Sequence, residues 1–333
     1  MKKILAFFLI LLPFFAFSES KRIEYDDFNL TAFYKESLQP GDAVFLRLEF
    51  ETSKKKFIKK LNPNFTEAGN LEIYRVLDDG NFAKKPTTKA QFYKIEKNAS
   101  KKHVKASLLG SAPLSTWAKI GDYVARIEFV AFGRRGILEL PFKITEKEFI
   151  SETIPLNSSN TKIRTNTSSE RMNQIKRLNA ILDTKNYDAV YETTAFAAPT
   201  PATRRTSFFG DRRVFAYSNG KSSTSLHYGI DYGIPTGSEV HSCGRGKIVM
   251  AEDRITTGWS VCVEHLPGLY SLYYHMSSLN VEVGQMVEKG ELLGLSGATG
   301  LATGPHLHWE VRLNMEAINP DFMTEDFAFA GER

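Results

Sequence analysis

The chain has 333 residues and a mass of 37.5 kDa, enough for about two domains of roughly 150 residues each. A composition of 42% hydrophobic and 24% charged residues is globular and excludes a disordered or collagen-like protein. Two cysteines exclude a disulfide-dense scaffold and a zinc module built on thiolates, and the net charge of +5 is modest.

The first 18 residues have the layout of a secretory signal peptide. Lys2 and Lys3 precede an apolar run over residues 4–17, which is shorter than the roughly 20 residues that a membrane-spanning helix needs. Ala16 and Ser18 place small residues where a signal peptidase cleaves. We therefore expect cleavage near Ser18 and export to the periplasm or cell envelope, with an uncleaved anchor as the alternative.

Residues 19–150 are predicted to form a β-sandwich of immunoglobulin-like style. Apolar residues alternate with polar ones over 44–50, 123–129 and 138–144, and a period of two is typical of half-buried strands. The lone histidine of this region, His103, is expected to have no catalytic role.

The same region carries an excess of positive charge. From Lys54 to Lys105 there are 13 lysines and Arg75 against five acidic residues, so 14 minus 5 gives a local charge of +9. Such a face favours an anionic partner, either an anionic envelope polymer or a membrane surface. Alternatively, solvated lysines keep strand edges from pairing. Because the chain is expected to be exported, no nucleic-acid partner is predicted.

Residues 151–202 are predicted to be a linker that contains one helix. The stretch 151–167 is rich in Ser, Thr and Asn, and a helix over about 168–186 follows a capping box formed by Thr167 and Glu170. A second extended stretch, 197–202, contains two prolines. It is a candidate to lie across a site in the domain that follows.

The C-terminal residues 203–333 hold six of the seven histidines. His306 and His308 are two residues apart on a predicted strand, so both side chains point to the same face. His227 and Asp231 offer a nitrogen and an oxygen from one turn. Each pair alone is a common coincidence, but together they offer enough side chains for the three ligands of a catalytic zinc site, with histidines left over for proton transfer.

These motifs stand in an order that resembles the lysostaphin/LytM-type zinc metallopeptidases. The resemblance runs from about Ser207 to Val311 and includes the glycine-punctuated stretch 294–300. It implies an antiparallel β-domain of the duplicated hybrid motif type that holds one zinc ion. It further implies roles for five residues: His227, Asp231 and His308 as metal ligands, with His306 and His275 at the catalytic water.

The function implied by the resemblance is hydrolysis of amide bonds in peptidoglycan peptide cross-links during cell-wall remodelling. Two alternatives stay open: a non-catalytic, envelope-binding regulator of other wall hydrolases, and a peptidase that acts on an envelope protein. The N-terminal domain would either target the enzyme or cover its groove.

Three further residues need an assignment. Cys243 and Cys262 are 19 residues apart in a region of predicted hairpins, and they form either a disulfide, as an oxidising compartment permits, or two buried thiols. His265, at a predicted strand end, is expected to be structural.

Overall fold

The structure is a computed structural model that describes residues 19–54, 66–99, 104–132 and 134–325. The predicted signal peptide, His103 and part of the lysine-rich stretch lie outside the described residues. Within those ranges, no helix is both long enough and apolar enough to span a membrane.

The chain is mainly β, as predicted, and its N-terminal part consists of two five-stranded sheets. The first sheet has the order β1-β2-β4-β8-β7: β1 Glu19–Glu24, β2 Asn29–Tyr34, β4 Ala43–Thr52, β8 Val104–Pro113 and β7 Tyr93–Ala99. The second has the order β3-β10-β9-β5-β6: β3 Ser37–Leu38, β10 Arg134–Ile144, β9 Gly121–Ala131, β5 Thr66–Arg75 and β6 Thr88–Gln91. Phe50 packs between the sheets against Phe28 and Phe129, with ring centroids 6.0 and 5.7 Å apart.

Strand β4 is more buried than its alternation of apolar and polar residues predicts. Nearly all of its residues are buried, on both faces of the strand. Its second face is covered by the C-terminal domain, where Phe45 meets Phe322 with a centroid separation of 6.0 Å. The polar positions on this strand pair with each other as the ion pair of Arg47 and Glu49. The two domains therefore share a continuous apolar core.

The segment between the domains contains more structure than the predicted single helix. It forms β11 Ser151–Pro155, α1 Ser158–Arg164 and α2 Ser169–Leu182. Ser168, rather than the predicted Thr167, caps α2 by accepting a hydrogen bond from the backbone N–H of Arg171 at 3.3 Å. The difference is one residue, within the usual uncertainty of a helix start.

The C-terminal domain is built on one large sheet with the order β12-β15-β23-β19-β18-β17-β21, and β24 is added beside β23. The strands of this sheet are β12 Arg205–Ser207, β15 Gly229–Tyr232, β23 Leu307–Leu313, β19 Leu269–Met276, β18 Gly258–Leu266, β17 Gly246–Arg254, β21 Met286–Val287 and β24 Glu316–Ile318.

Two three-stranded sheets and a short helix complete the domain. The sheets are β11-β13-β14, with β13 Arg212–Ala216 and β14 Ser222–Leu226, and β16-β22-β20, with β16 Glu239–His241, β22 Leu292–Leu295 and β20 Ser278–Leu279. The helix α3, Pro320–Thr324, is an addition to the antiparallel β-domain that the resemblance implies. Its first residues lie at the domain interface, where the Asn319 N–H donates to the carbonyl of Gly41 at 2.7 Å.

Cys243 and Cys262 are both free and buried. They belong to different apolar clusters: Cys243 packs in the main core, whereas Cys262 packs with Tyr270 and Leu272 in a second cluster. Of the two alternatives, the structure has the pair of buried thiols.

Candidate metal centre

The order of strands in the large sheet brings three predicted site residues together. Antiparallel pairing of β15 with β23 sets Asp231 directly opposite His308, and β23 with β19 sets His308 opposite Tyr274. His227 lies in the short connection between β14 and β15, four residues before Asp231. Residues that are 77 positions apart in sequence therefore become neighbours because adjacent strands share a register.

The side chains of these three residues converge on one point. The Nε2 atom of His227 lies 3.0 Å from Oδ1 of Asp231 and 3.0 Å from Nδ1 of His308, and that Nδ1 lies 2.8 Å from the same Oδ1. All three residues are buried, and one ligand atom from each lies within 4.8 Å of the others. Two imidazole nitrogens and a carboxylate oxygen form a donor set that suits zinc.

Each converging residue also has a partner for the atom that faces away from the cluster. His227 donates from Nδ1 to the carbonyl of Phe208 at 2.8 Å, and Glu310 accepts from Nε2 of His308 at 3.3 Å. Asp231 accepts at Oδ2 from Arg213 at 2.9 Å. Such outer partners fix the tautomer and orientation of metal ligands, so the residues present fit a bound metal ion.

The charges around the cluster favour an anionic carboxylate. Burial alone would raise the pKa of Asp231, but the neighbouring imidazoles of His227 and His308 outweigh it and hold this pKa well below its usual value. Burial opposes a proton on His308, yet its hydrogen bonds to Asp231 and Glu310 raise its pKa to about 9. A protonated His308 thus bridges two carboxylates, and a cation bound among the three residues would take the place of that proton.

His275 and His306 stand beside the cluster with their rings 4.6 Å apart. Each uses Nδ1–H to donate to a backbone carbonyl at 2.8 Å, His275 to Thr299 and His306 to Gly304. Nε2 of each ring is left for the cavity, and that of His306 lies 3.9 Å from Oδ1 of Asp231. Burial, with the nearby imidazoles of His306 and His308, lowers the pKa of His275 to about 3 and keeps it neutral.

A cavity of about 210 Å³ opens over the cluster and is lined by all five predicted site residues. None of its described lining residues comes from 197–202; that stretch instead pairs with β16, where the His241 N–H donates to the carbonyl of Pro199 at 2.9 Å. The expectation that this stretch lies across the site is therefore wrong for this structure. The interdomain residues that do line the cavity are Ile154, Leu156 and Arg164.

Several residues that complete the centre are absent from the sequence prediction. Glu310 could have been found, because it lies two positions after His308 and so shares a strand face with it. Arg213 could not, since its contact with Asp231 joins two different sheets, that of β13 and that of β15. The contacts with the backbone carbonyls of Phe208 and Thr299 could not have been predicted either, because every residue carries a backbone carbonyl.

Residues 225–320 match the family model described as peptidase family M23. This segment is a peptidase family M23 domain. The match contains His227, Asp231, His275, His306 and His308, whereas β11, α1 and Arg213 lie before it.

Similar proteins extend the comparison beyond the M23 domain. A DD-carboxypeptidase/endopeptidase Mpg of Neisseria meningitidis is 40% identical over 95 residues, which is 28% of this chain and 22% of that protein. The peptidoglycan DD-endopeptidase ShyA of Vibrio cholerae is 25% identical over 313 residues, 92% of this chain and 69% of that protein. The solved catalytic domain of the antimicrobial peptidase lysostaphin from Staphylococcus simulans is 30% identical over 35% of this chain and 89% of that domain, with a TM-score of 0.31.

The curated relatives at 40% identity are matched over only part of their length. The chain spans 22% to 26% of those proteins.

Proposed function

We propose that this protein is a zinc-dependent endopeptidase that hydrolyses peptide cross-links in peptidoglycan. The observation that carries the proposal is the cluster of His227, Asp231 and His308, whose outward-facing atoms are all occupied while the inward-facing atoms converge. The names of the matched relatives support peptidoglycan as the substrate and a D,D cross-link as the bond.

The proposed metal would lie among His227, Asp231 and His308. When bound, it would supply an electrophile that acidifies water and polarises the scissile carbonyl. Zinc is the proposed ion because the donor set is two imidazoles and one carboxylate.

The neighbouring histidines would move protons. Nδ1 of His306 and Nδ1 of His275 are each held by a backbone carbonyl, which leaves Nε2 of each ring for the cavity. His306 would accept the proton from the attacking water, since its Nε2 lies 3.9 Å from Oδ1 of Asp231 and is therefore beside the proposed metal position. His275 is buried and neutral, and its Nε2 would accept a hydrogen bond from the attacking water and so orient it.

The proposed place of action is the periplasm or cell envelope. This proposal rests on the signal-peptide layout of residues 1–18 and on the location of the proposed substrate. A role for the basic N-terminal region in holding an anionic envelope component stays a prediction.

The direct test is digestion of purified peptidoglycan by the zinc-loaded full chain, with mass analysis of the released fragments. The expected result is conversion of cross-linked dimers to monomers by the wild type and not by His306→Ala. If a wild-type chain that holds one equivalent of zinc releases nothing, the endopeptidase proposal is wrong. The non-catalytic regulator then becomes the better hypothesis.

A further inference from the structure

One wall of the cavity is built by the segment that joins the domains. Strand β11 pairs in parallel with β13, which sets Glu152 beside Arg213 and Ile154 beside Phe215. Because alternate residues share a face, this small sheet presents Ile154, Arg213 and Phe215 to the cavity. The wall therefore depends on residues that precede the M23 domain.

Helix α1 follows this strand and is fixed by hydrogen bonds to two other segments of the chain. On one side, Nδ2 of Asn160 donates to the carbonyl of Ala302 at 3.0 Å. On the other, Oγ1 of Thr161 accepts from the N–H of Ser218 at 3.1 Å. Arg164, the last residue of α1, is thereby held at the cavity, which it lines together with the metal-centre residues.

The guanidinium of Arg164 is held by packing but is not neutralised. It stacks on the ring of Phe215 at 4.7 Å, and it makes a weak polar contact from Nη2 to Oγ of Ser223 at 3.5 Å. Among the described residues, Arg164 forms no ion pair. Arg213 differs, because it is paired with both Glu152 and Asp231 at 2.9 Å. Arg164 is thus a half-buried cation that has no ion-pair partner among the described residues. Such a group is suited to bind an anionic group of a ligand in the cavity.

We propose that Arg164 binds a carboxylate of the substrate peptide, so that the interdomain segment contributes to specificity as well as connecting the domains. This inference rests on the proposed function, because peptidoglycan stem peptides carry free carboxylates at the chain end and, unless amidated, along the stem. The planar guanidinium fork matches a carboxylate in two-point contact. Stacking on Phe215 pre-orients the fork and reduces the entropy lost on binding.

The test measures binding of synthetic cross-linked stem-peptide dimers to the zinc-loaded full chain in the His306→Ala background. Three dimers are compared: one with all carboxylates free, one with only the terminal carboxylate amidated, and one with only the stem carboxylates amidated. Adding Arg164→Gln should weaken binding of the free dimer about ten- to a hundredfold, as expected for loss of a charged hydrogen bond. The amidated dimer that lacks the recognised carboxylate should already bind weakly and should lose nothing further, which identifies the source of the carboxylate.

Two variants control for charge and folding. Lys162→Gln removes the same charge from the exposed side of α1 and should leave all three affinities unchanged, while Arg164→Lys should restore part of the binding. Zinc content and thermal midpoint of Arg164→Gln should match those of its parent.

Equal losses for all three dimers, or no loss for any, would overturn the proposal for Arg164 alone. An increase in binding of every dimer by Arg164→Gln would also overturn it, and would indicate that α1 obstructs the cavity. If the parent binds none of the dimers, the proposed function fails as well.

Discussion

Two buried histidine clusters occupy the large C-terminal sheet, and they differ in what surrounds the imidazole. His265, on β18, donates from Nδ1 to the carbonyl of Arg245 at 2.8 Å and meets the hydroxyl of Ser271 at 2.7 Å. His308, on β23, contacts the carboxylates of Asp231 and Glu310 instead. Burial lowers the pKa of His265 to about 4, whereas the carboxylates raise that of His308 to about 9.

The contrast explains why one cluster suits a metal and the other does not. The neutral partners of His265 stabilise a neutral ring, and burial raises the pKa of the nearby Cys243 thiol to about 12, so this sulfur keeps its proton and is a poor metal ligand. His308 instead faces a cavity beside a second imidazole and an ionised carboxylate. Both clusters contain a buried histidine, so burial does not distinguish them. The metal centre differs because its histidine has carboxylate neighbours and because it opens onto a cavity.

Removing the carboxylate should have the largest effect. In Asp231→Ala, two imidazoles remain without a charged ligand, so we expect zinc content to fall from about one equivalent per chain to none. Metal analysis after gel filtration measures this. The matched variant Asp253→Ala, on the exposed side of β17, should keep its zinc; equal loss in both variants would contradict the assignment of Asp231.

The next largest effect separates metal binding from catalysis. His306→Ala should retain zinc, because its ring lies outside the three-residue cluster, yet turnover of a cross-linked muropeptide should fall about 10²–10⁴-fold through loss of the general base. Initial rates by mass spectrometry measure the loss. Full activity with zinc retained would show that another group takes the proton.

The cluster around His265 should affect how the free energy of unfolding depends on pH. The folded pKa of His265 is lowered to about 4 from a usual 6.5, so the unfolded chain binds more protons between these values. The free energy of unfolding should therefore fall by about 3 kcal/mol as pH drops from about 6.5 to 4.

A non-titrating variant isolates this contribution. His265→Asn keeps a donor for the Arg245 carbonyl, and we expect its stability to be lower at neutral pH but flatter across the same window. Urea unfolding of both chains in chelator, at several pH values, measures the difference. A parallel decline in wild type and variant would contradict a buried neutral His265.

The smallest effect concerns the outer partner of His308. Glu310→Gln keeps an acceptor for Nε2–H but removes the charge, so zinc affinity should fall about ten- to a hundredfold. Competition with a chromophoric chelator measures this. Glu264→Gln, a buried glutamate of the same sheet, serves as the control and should not change the affinity; an unchanged affinity in Glu310→Gln would remove Glu310 from the metal centre.

The sequence was sufficient for the mainly β fold and for the five residues that the structure places around one cavity. These residues lie in short motifs whose spacing reports strand faces directly. The interdomain segment was less predictable: β11 is a short polar strand that exists through pairing with β13, and pairing partners are not encoded locally.

The same limit explains why the prediction for the burial of strand β4 was wrong. Its alternation, with Arg47 and Glu49 between apolar residues, is typical of a strand with one wet face. The covering surface comes from Phe322 and its neighbours, nearly three hundred residues later in the sequence. Because the two domains pack this closely, truncation to residues 203–333 would expose apolar surface and remove a wall of the cavity.

X-ray absorption at the zinc edge of the loaded full chain tests the central contrast most directly. The account predicts one zinc per chain surrounded by nitrogen and oxygen at about 2.0–2.2 Å, with an imidazole signature. A sulfur neighbour at about 2.3 Å would instead place the metal at the cluster of Cys243 and His265. That result, or a chain that binds no zinc, would contradict the assignment of His227, Asp231 and His308.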